Sequence, residues 1–173
     1  MKRLTKTLLA IACIAVSAVS CYKDGPGKGD EPGSICGTWV LDTKTVLIET
    51  SFGGNDNQNK TEIDFKGLDC RLSLEYDQLA HAAFGYELEV TTYSYDAESQ
   101  RLDFSRQLSV SSSGRTMTLV GQYDVTQLTQ EKLVLTQKSG VTIGSSSAYE
   151  VTTYEFHRKP DDNSDETIKE KQY

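Results

Sequence analysis

Residues 116–125 read TMTLVGQYDV, and this stretch carries the clearest signal of how the chain folds. From Met117 to Val125, apolar residues and one glycine stand at every second position, with mostly polar residues between them. A period of two is typical of a β-strand that turns one face to a core and the other to water. The stretches 62–66 and 70–76 repeat the pattern, and no long stretch has the 3.6-residue period of an amphipathic helix. The sequence therefore predicts an all-β fold.

The same periodicity predicts eight strands, at about residues 37–49, 60–66, 69–76, 85–96, 100–110, 115–125, 132–138 and 148–158. Most connections are short and rich in turn residues, so successive strands are expected to be antiparallel neighbours. Residues 53–59 (GGNDNQN) predict a longer polar loop, and residues 78–84 (QLAHAAF) predict one or two helical turns. We expect an eight-stranded antiparallel up-and-down barrel, because closure removes exposed sheet edges, with a sandwich of two four-stranded sheets as the alternative.

The length and the charge of the chain limit the classes of function that it can have. A chain of 173 residues is the length of one domain. It has 25 acidic against 18 basic residues and a net charge of −7. Nucleic-acid binding draws most of its affinity from clustered Lys and Arg, so this composition excludes a nucleic-acid partner.

The N-terminus has the composition of an export signal. Three basic residues precede an apolar run at residues 8–19, which is too short for a membrane-spanning helix of about 20 residues. The run ends in Ala18-Val19-Ser20-Cys21, which resembles a bacterial lipobox. We therefore expect residues 1–20 to be a signal peptide and Cys21 to carry acyl chains such as palmitate that anchor the protein in a membrane. The alternative is an ordinary secretory signal followed by an incidental cysteine.

Residues 21–34 predict a flexible tether, because they are rich in Gly and Pro. Tyr22-Lys23-Asp24 resembles the export signal that lipoproteins of the Bacteroidota type carry behind the lipidated cysteine. That resemblance implies an outer-membrane protein exposed at the cell surface, or otherwise held at the periplasmic face. Residues 160–173 are mostly charged and predict a mobile tail.

Gly37-Thr38-Trp39 opens the first predicted strand and resembles the Gly-x-Trp signature of lipocalins. Residues 121–135 and 154–158 are similar to the C-terminal half of small lipocalin-like lipoprotein domains of the Bacteroidota. The resemblance covers residues 35–159. It implies that Gly37 and Trp39 form the barrel floor and that Arg158 or Lys159 stacks on the tryptophan. It implies a fold more firmly than a function.

Of the four cysteines, Cys13 leaves with the signal and Cys21 takes the lipid. Cys36 and Cys70 remain as a pair in an oxidising compartment, and we expect a disulfide between them. The alternative is two separate small apolar side chains. Two thiolates without a histidine cluster do not complete a zinc site, so no metal or other cofactor is predicted.

No catalytic motif is present, and the chain is not expected to be an enzyme. His81 and His157 lack metal-site or catalytic spacing, and Glu87 and Glu89 are expected to lie on a solvated strand face. An unrecognised carboxylate site is the least supported possibility. The aromatic residues with a polar tip are more informative as ligand-binding candidates, and these are Tyr86, Tyr93, Tyr95, Tyr123 and Tyr154. They fit a binding site at the barrel mouth or, equally, cross-strand pairs within the sheet.

The leading hypothesis is therefore an outer-membrane-anchored lipocalin-like lipoprotein that binds a small apolar or glycan-derived ligand in the barrel mouth, without catalysis. The alternative is an interaction or accessory module of an envelope complex, which would contact a protein partner through a sheet face or through residues 53–59.

Overall fold

The computed structural model describes residues 34–160. The predicted signal peptide, Cys21, all of the tether but Ser34, and the tail after Pro160 lie outside the described residues. The described chain forms nine antiparallel strands and no helix. They are β1 (Gly37–Phe52), β2 (Asn55–Asp64), β3 (Cys70–Leu74), β4 (Leu79–Phe84), β5 (Glu87–Asp96), β6 (Arg101–Ser112), β7 (Arg115–Leu128), β8 (Lys132–Ile143) and β9 (Ser146–Arg158). The all-β prediction is confirmed.

The strands close into an uneven ring. β1 pairs with β9 along one edge, and β3 to β9 follow one another in sequence order. On its other edge β1 has two partners: its first residues pair with β3, from Gly37 opposite Leu74 to Val40 opposite Arg71. From Thr43 onward β1 pairs with β2, and β2 pairs with no other described strand. The ring therefore consists of eight strands, and β2 lies outside it as a ninth.

β2 extends the strand predicted at about 60–66 and so corrects the prediction for residues 53–59. Gly53 and Gly54 form a two-residue turn with φ of 58° and 84°, which favours glycine, and β2 begins at Asn55. The polar composition suggested a loop. Pairing with β1 supplies the backbone partners that place these residues in a strand.

Residues 78–84 also differ from the prediction. Residues 79–84 form β4 rather than a helical turn, and β4 is the strand that the sequence did not predict. Ala80, Ala82 and Phe84 are buried, and the residues between them lie on the outer side, so the period is two. The helix propensity of alanine is weak by comparison with the backbone pairing that β3 and β5 offer on both edges.

The part of the β6–β7 hairpin nearest to its turn folds across one end of the ring. The pairing shifts between Phe104, opposite Gly121, and Leu108, opposite Leu119, so β6 gains two residues over β7. Gly121 has a φ of 66°, a conformation that favours glycine, and this allows the bend in β7. We call residues 108–119 the cap hairpin. It buries Leu108, Val110, Met117 and Leu119 against the ring interior.

A four-stranded sheet projects beyond the ring at the same end as the cap hairpin. β7 and β8 pair only between Asp124–Thr136 and Leu128–Leu133, so residues 137–143 of β8 pair with β9 alone. Together with residues 45–52 of β1, 146–153 of β9 and 55–62 of β2, they form a sheet in the order β2-β1-β9-β8. We call this sheet the wing. Two of its strands are edges, and it has solvent on both sides over much of its length.

The core lies inside the ring. Its largest fully buried side chains are Trp39, Tyr123, Tyr154, Phe65 and Phe156. Edge-to-face contacts link Phe104 to Tyr123 and Tyr123 to Tyr154, with ring centroids 6.0 and 6.1 Å apart. No helix in the described residues is long and apolar enough to cross a membrane.

Candidate functional site

The floor of the ring is formed by Trp39 and Arg158. The guanidinium carbon of Arg158 lies 4.3 Å from the centroid of the Trp39 ring. Its nitrogens donate to the carbonyl oxygens of Cys36 and Ser34 at 3.0 and 2.8 Å. A Cβ at Gly37 would lie 2.5 Å from Arg158 Nη1, so only glycine leaves room for this contact. These are the residues that the resemblance nominates for the floor, and the contact gives them a structural role.

No disulfide joins Cys36 to Cys70, which corrects the prediction. Gly37 pairs with Leu74, so Cys70 lies four strand positions above the floor, or about 13 Å at 3.3 Å per residue. A disulfide needs Cα atoms within about 7 Å. Instead, Cys36 Sγ lies 3.4 Å from the hydroxyl of Tyr93. Burial raises the pKa of the Cys70 thiol to about 12, and Asp69 contributes to the shift.

Three of the five candidate tyrosines lie inside the ring. Tyr93, Tyr123 and Tyr154 are no more than 4% exposed. The hydroxyl of Tyr93 donates to the carbonyl of Glu75, and that of Tyr154 donates to the carbonyl of Thr118. Burial raises the pKa of Tyr154 well above its ordinary value. These side chains fill the interior, and the hydrogen bond of Tyr154 ties the cap hairpin to the ring.

The other two candidates lie apart from them. Tyr86 is fully exposed at the turn between β4 and β5, and Tyr95 is half-buried near the other end of β5. The structure therefore does not bring the five tyrosines together into one site.

Two carboxylates hold the cap hairpin in place. Backbone pairing of β5 with β6 ends at Tyr93 opposite Phe104. Beyond that point, Glu89 accepts a hydrogen bond from the backbone N–H of Ser109, and Glu87 accepts one from that of Ser111. The two carboxylates thus take the place of a strand partner along this edge of β6. The sequence placed both on one side of a strand, but nothing in it indicated this contact.

One side of the wing continues the interior face of the ring. Lys44 is opposite Tyr154, and its ammonium nitrogen lies 5.4 Å from the centroid of the Tyr154 ring. Every second residue beyond this pair lies on the same side of the sheet. We call this side the inner face of the wing. Its apolar residues are Val46, Ile48 and Phe52 from β1, Val141 and Ile143 from β8, and Ala148 from β9.

Four large apolar side chains of the inner face are uncovered. Ile48 is 44% exposed, Phe52 59%, Val141 60% and Ile143 77%. They are four of the nine large apolar residues that are exposed among the described residues. Single exposed apolar residues are ordinary on a protein surface, but a group on one sheet face is typical of an interaction site. The alternation of Val46 with Ile48 and of Val141 with Ile143 is visible in the sequence, whereas the absence of a covering layer is not.

The outer face of the wing has one aliphatic pair, Leu47 opposite Val151, both partly buried, and its other side chains are mostly polar and bonded to one another. The ammonium group of Lys138 lies 4.2 Å from the centroid of the Tyr149 ring. Gln58 donates to Glu49 at 3.0 Å. The two faces therefore differ in chemistry, and the inner face is the candidate for binding.

A separate open groove of about 470 Å³ lies at the floor end of the ring. Its lining includes Gly37, Leu74, Glu75 and Tyr76. Tyr76 is 45% exposed there and was predicted to continue the buried face of its strand. The strand ends at Leu74, and Tyr76 belongs to the turn that follows.

His81 lies 3.2 Å from a carboxylate oxygen of Glu75, and His157 lies 2.9 Å from one of Asp42. Each is thus part of an isolated pair. Within residues 34–160, no three His, Cys, Asp or Glu side chains converge where they could hold a metal ion.

Comparisons with protein-family models, curated proteins and solved structures found no match for this chain.

Proposed function

We propose that this protein is a protein-binding module of the bacterial envelope, and that the inner face of the wing is its docking surface. In this proposal Cys21 carries the lipid anchor and residues 21–34 hold the domain at a distance from an outer membrane. The lipobox-like sequence and the Gly- and Pro-rich segment support that placement.

The observation that carries the proposal is the group of exposed apolar side chains at Ile48, Phe52, Val141 and Ile143. Fully burying one such side chain is worth about 1.5–3 kcal/mol, so a partner that covers all four gains several kcal/mol toward association. Sheet faces in a small domain are normally buried on one side. The wing instead projects from a ring whose interior is already filled by Trp39 and the core tyrosines.

The charge of the chain indicates what the partner looks like. The full chain has a net charge of −7, and loss of the three basic residues of the signal peptide makes the mature protein more acidic, so it attracts basic surfaces and repels acidic ones. We therefore expect a partner protein whose contact surface is apolar at its centre and carries Lys or Arg at its rim. Catalysis has no part in this function.

Co-purification from native membranes tests the proposal. The double variant Ile48→Thr/Val141→Thr removes apolar surface from the inner face while keeping β-branched side chains that suit a strand. Leu88→Thr is the matched control, because Leu88 is 64% exposed on β5, away from the wing. A partner should be retained by the wild type and by Leu88→Thr and lost by the double variant. A solitary monomer in all three preparations would overturn the proposal.

A small-ligand function is the second candidate, and the groove at the floor end favours it. Its volume of about 470 Å³ lies within the usual range of ligand sites, about 300–1,000 Å³, and Tyr76 offers an aromatic face to an apolar or glycan-derived molecule. Native mass spectrometry against lipids and sugars should then find a ligand that Tyr76→Ala loses and Tyr86→Ala retains. A ligand that both variants retain, or none at all, would exclude this groove.

A further inference from the structure

The outer edge of β2 is an unpaired strand edge of unusual length. β2 has ten residues, nine of them exposed, and pairs only with β1 among the described strands. It contains no proline and no break in its pairing with β1. An edge of this kind presents a row of backbone donors and acceptors that can pair with a further strand. This feature is independent of the apolar side chains behind the proposed function.

The side chains of β2 are arranged so that the strand complements itself. Two copies that pair antiparallel about a two-fold axis must place residues of the same sheet face opposite each other. With the axis at Gln58, Asp56 of each copy lies opposite Lys60 of the other. On the other face, Asn57 of each copy lies opposite Asn59 of the other. Opposite charges and amides are both favourable cross-strand pairs.

Neighbouring registers lack this match. An axis at Asn59 places Asp56 of each copy opposite Glu62 of the other. An axis at Lys60 places the two Lys60 residues of the dimer opposite each other. Like charges directly opposite each other destabilise a sheet. An axis at Asn57 leaves Asp56 opposite Gln58 and forms no pair of opposite charges. The register centred on Gln58 is therefore the one that the sequence of the strand favours.

We propose that a second copy of this chain binds along the outer edge of β2, in the register centred on Gln58. The two wings then form one continuous eight-stranded sheet. Because the two-fold axis is perpendicular to the sheet, the inner faces of the two wings lie on the same side of the combined sheet. The dimer thus doubles the apolar docking surface without covering it.

Cysteine cross-linking of the full-length protein tests both the dimer and its register. In Gln58→Cys the two new cysteines face each other, with Cα atoms about 5 Å apart, which suits a disulfide. In the matched control Glu62→Cys the two cysteines are eight positions apart, about 26 Å. Mild oxidation should produce a covalent dimer from Gln58→Cys but not from Glu62→Cys or the wild type, which carries the native cysteines. No dimer from Gln58→Cys, or equal amounts from both variants, would overturn the proposal.

Charge reversal gives a second measurement in which no cysteine is added. Asp56→Lys places two lysines opposite each other, and Asp56→Lys/Lys60→Asp restores opposite charges with their positions exchanged. Sedimentation of the full-length protein should show weaker dimerisation, by about tenfold or more, in the single variant and recovery in the double variant. A monomer at every concentration, or a dimer that neither variant affects, would refute self-pairing at this edge. Loss of the dimer leaves the inner face intact, so partner binding to that face is assessed separately.

Discussion

The thiol of Cys70 donates a hydrogen bond to the sulfur of Met117 at 3.9 Å, although β3 and β7 are not neighbours in the ring. The contact exists because the cap hairpin folds across the ring and inserts Met117 above β3. It explains why the interior is packed with side chains. It also means that the proposed binding function has the wing, and not the ring interior, available as its surface.

Met117→Ala is expected to destabilise the protein by about 2–5 kcal/mol, because truncating a buried methionine leaves a cavity in the core. Urea unfolding measures the change. Val120→Ala is the control within the same strand, since Val120 is 44% exposed and its truncation should cost much less. Equal losses in the two variants would show that the cap hairpin is not packed against the ring.

Glu89→Ala is expected to loosen the cap hairpin locally. It removes the carboxylate that accepts the backbone N–H of Ser109, and a hydrogen bond to a charged group contributes about 1.5 kcal/mol or more. Hydrogen exchange at Ser109 should accelerate by about tenfold. Asp103→Ala removes a carboxylate from the part of β6 that pairs with β5, and it should leave the exchange rate of the Ser109 amide unchanged. Slow exchange in both variants would count against the role of Glu89.

Arg158→Lys is expected to perturb the floor of the ring, although it keeps the charge. Lysine lacks the planar group that stacks on Trp39 while donating to two carbonyl oxygens, and we expect a loss of about 1–3 kcal/mol. Trp39 is the single tryptophan of the chain, so its fluorescence reports directly on the contact. Lys159→Ala should leave the emission unchanged. An unaltered spectrum in Arg158→Lys would mean that the stacking does not persist in solution.

Stability is expected to fall at alkaline pH. In the folded state burial raises the pKa of Cys70 from 9.0 to about 12, and it raises the pKa of Tyr154 above 10.0. The folded state therefore holds protons that the unfolded chain releases, so the contribution to the free energy of unfolding is complete below pH 9 and declines as the pH rises toward 12. Between its pKa in the unfolded chain and its pKa in the folded state, each group lowers the free energy of unfolding by up to about 1.4 kcal/mol per pH unit.

Urea unfolding at pH 8, 9.5 and 10.5 measures this decline. Cys70→Ala should show a shallower dependence on pH than the wild type, whatever its stability at pH 8. Parallel curves for the two proteins would show that Cys70 ionises in the folded state as it does in the unfolded chain.

The strands that the sequence predicted correctly are those whose burial is encoded locally. Residues 70–74 and 115–125 alternate between core and solvent within a single strand, and no distant contact is needed to recognise them. Residues 78–84 were misread because alanine favours a helix in isolation, and residues 53–59 because an Asn-rich segment resembles a loop. In both cases pairing with a neighbouring strand determined the conformation.

The candidate site was harder to predict because it depends on register and on long-range folding. The distance between Cys36 and Cys70 follows from the pairing of β1 with β3, which the sequence does not specify. Tyr123 and Tyr86 have the same chemistry, yet one is buried beneath the cap hairpin and the other is fully exposed. The exposure of Ile143 depends in the same way on where β7 parts from β8.

Photo-cross-linking from neighbouring positions of β8 tests most directly whether the inner face of the wing binds a protein. Ile143 points to the inner face and Thr142 to the outer face, and both are exposed. With a photoreactive amino acid at either position of the full-length protein in its native membrane, position 143 should give a discrete adduct with a second protein and position 142 should not. Equal adducts from both positions, or none from position 143, would contradict the account.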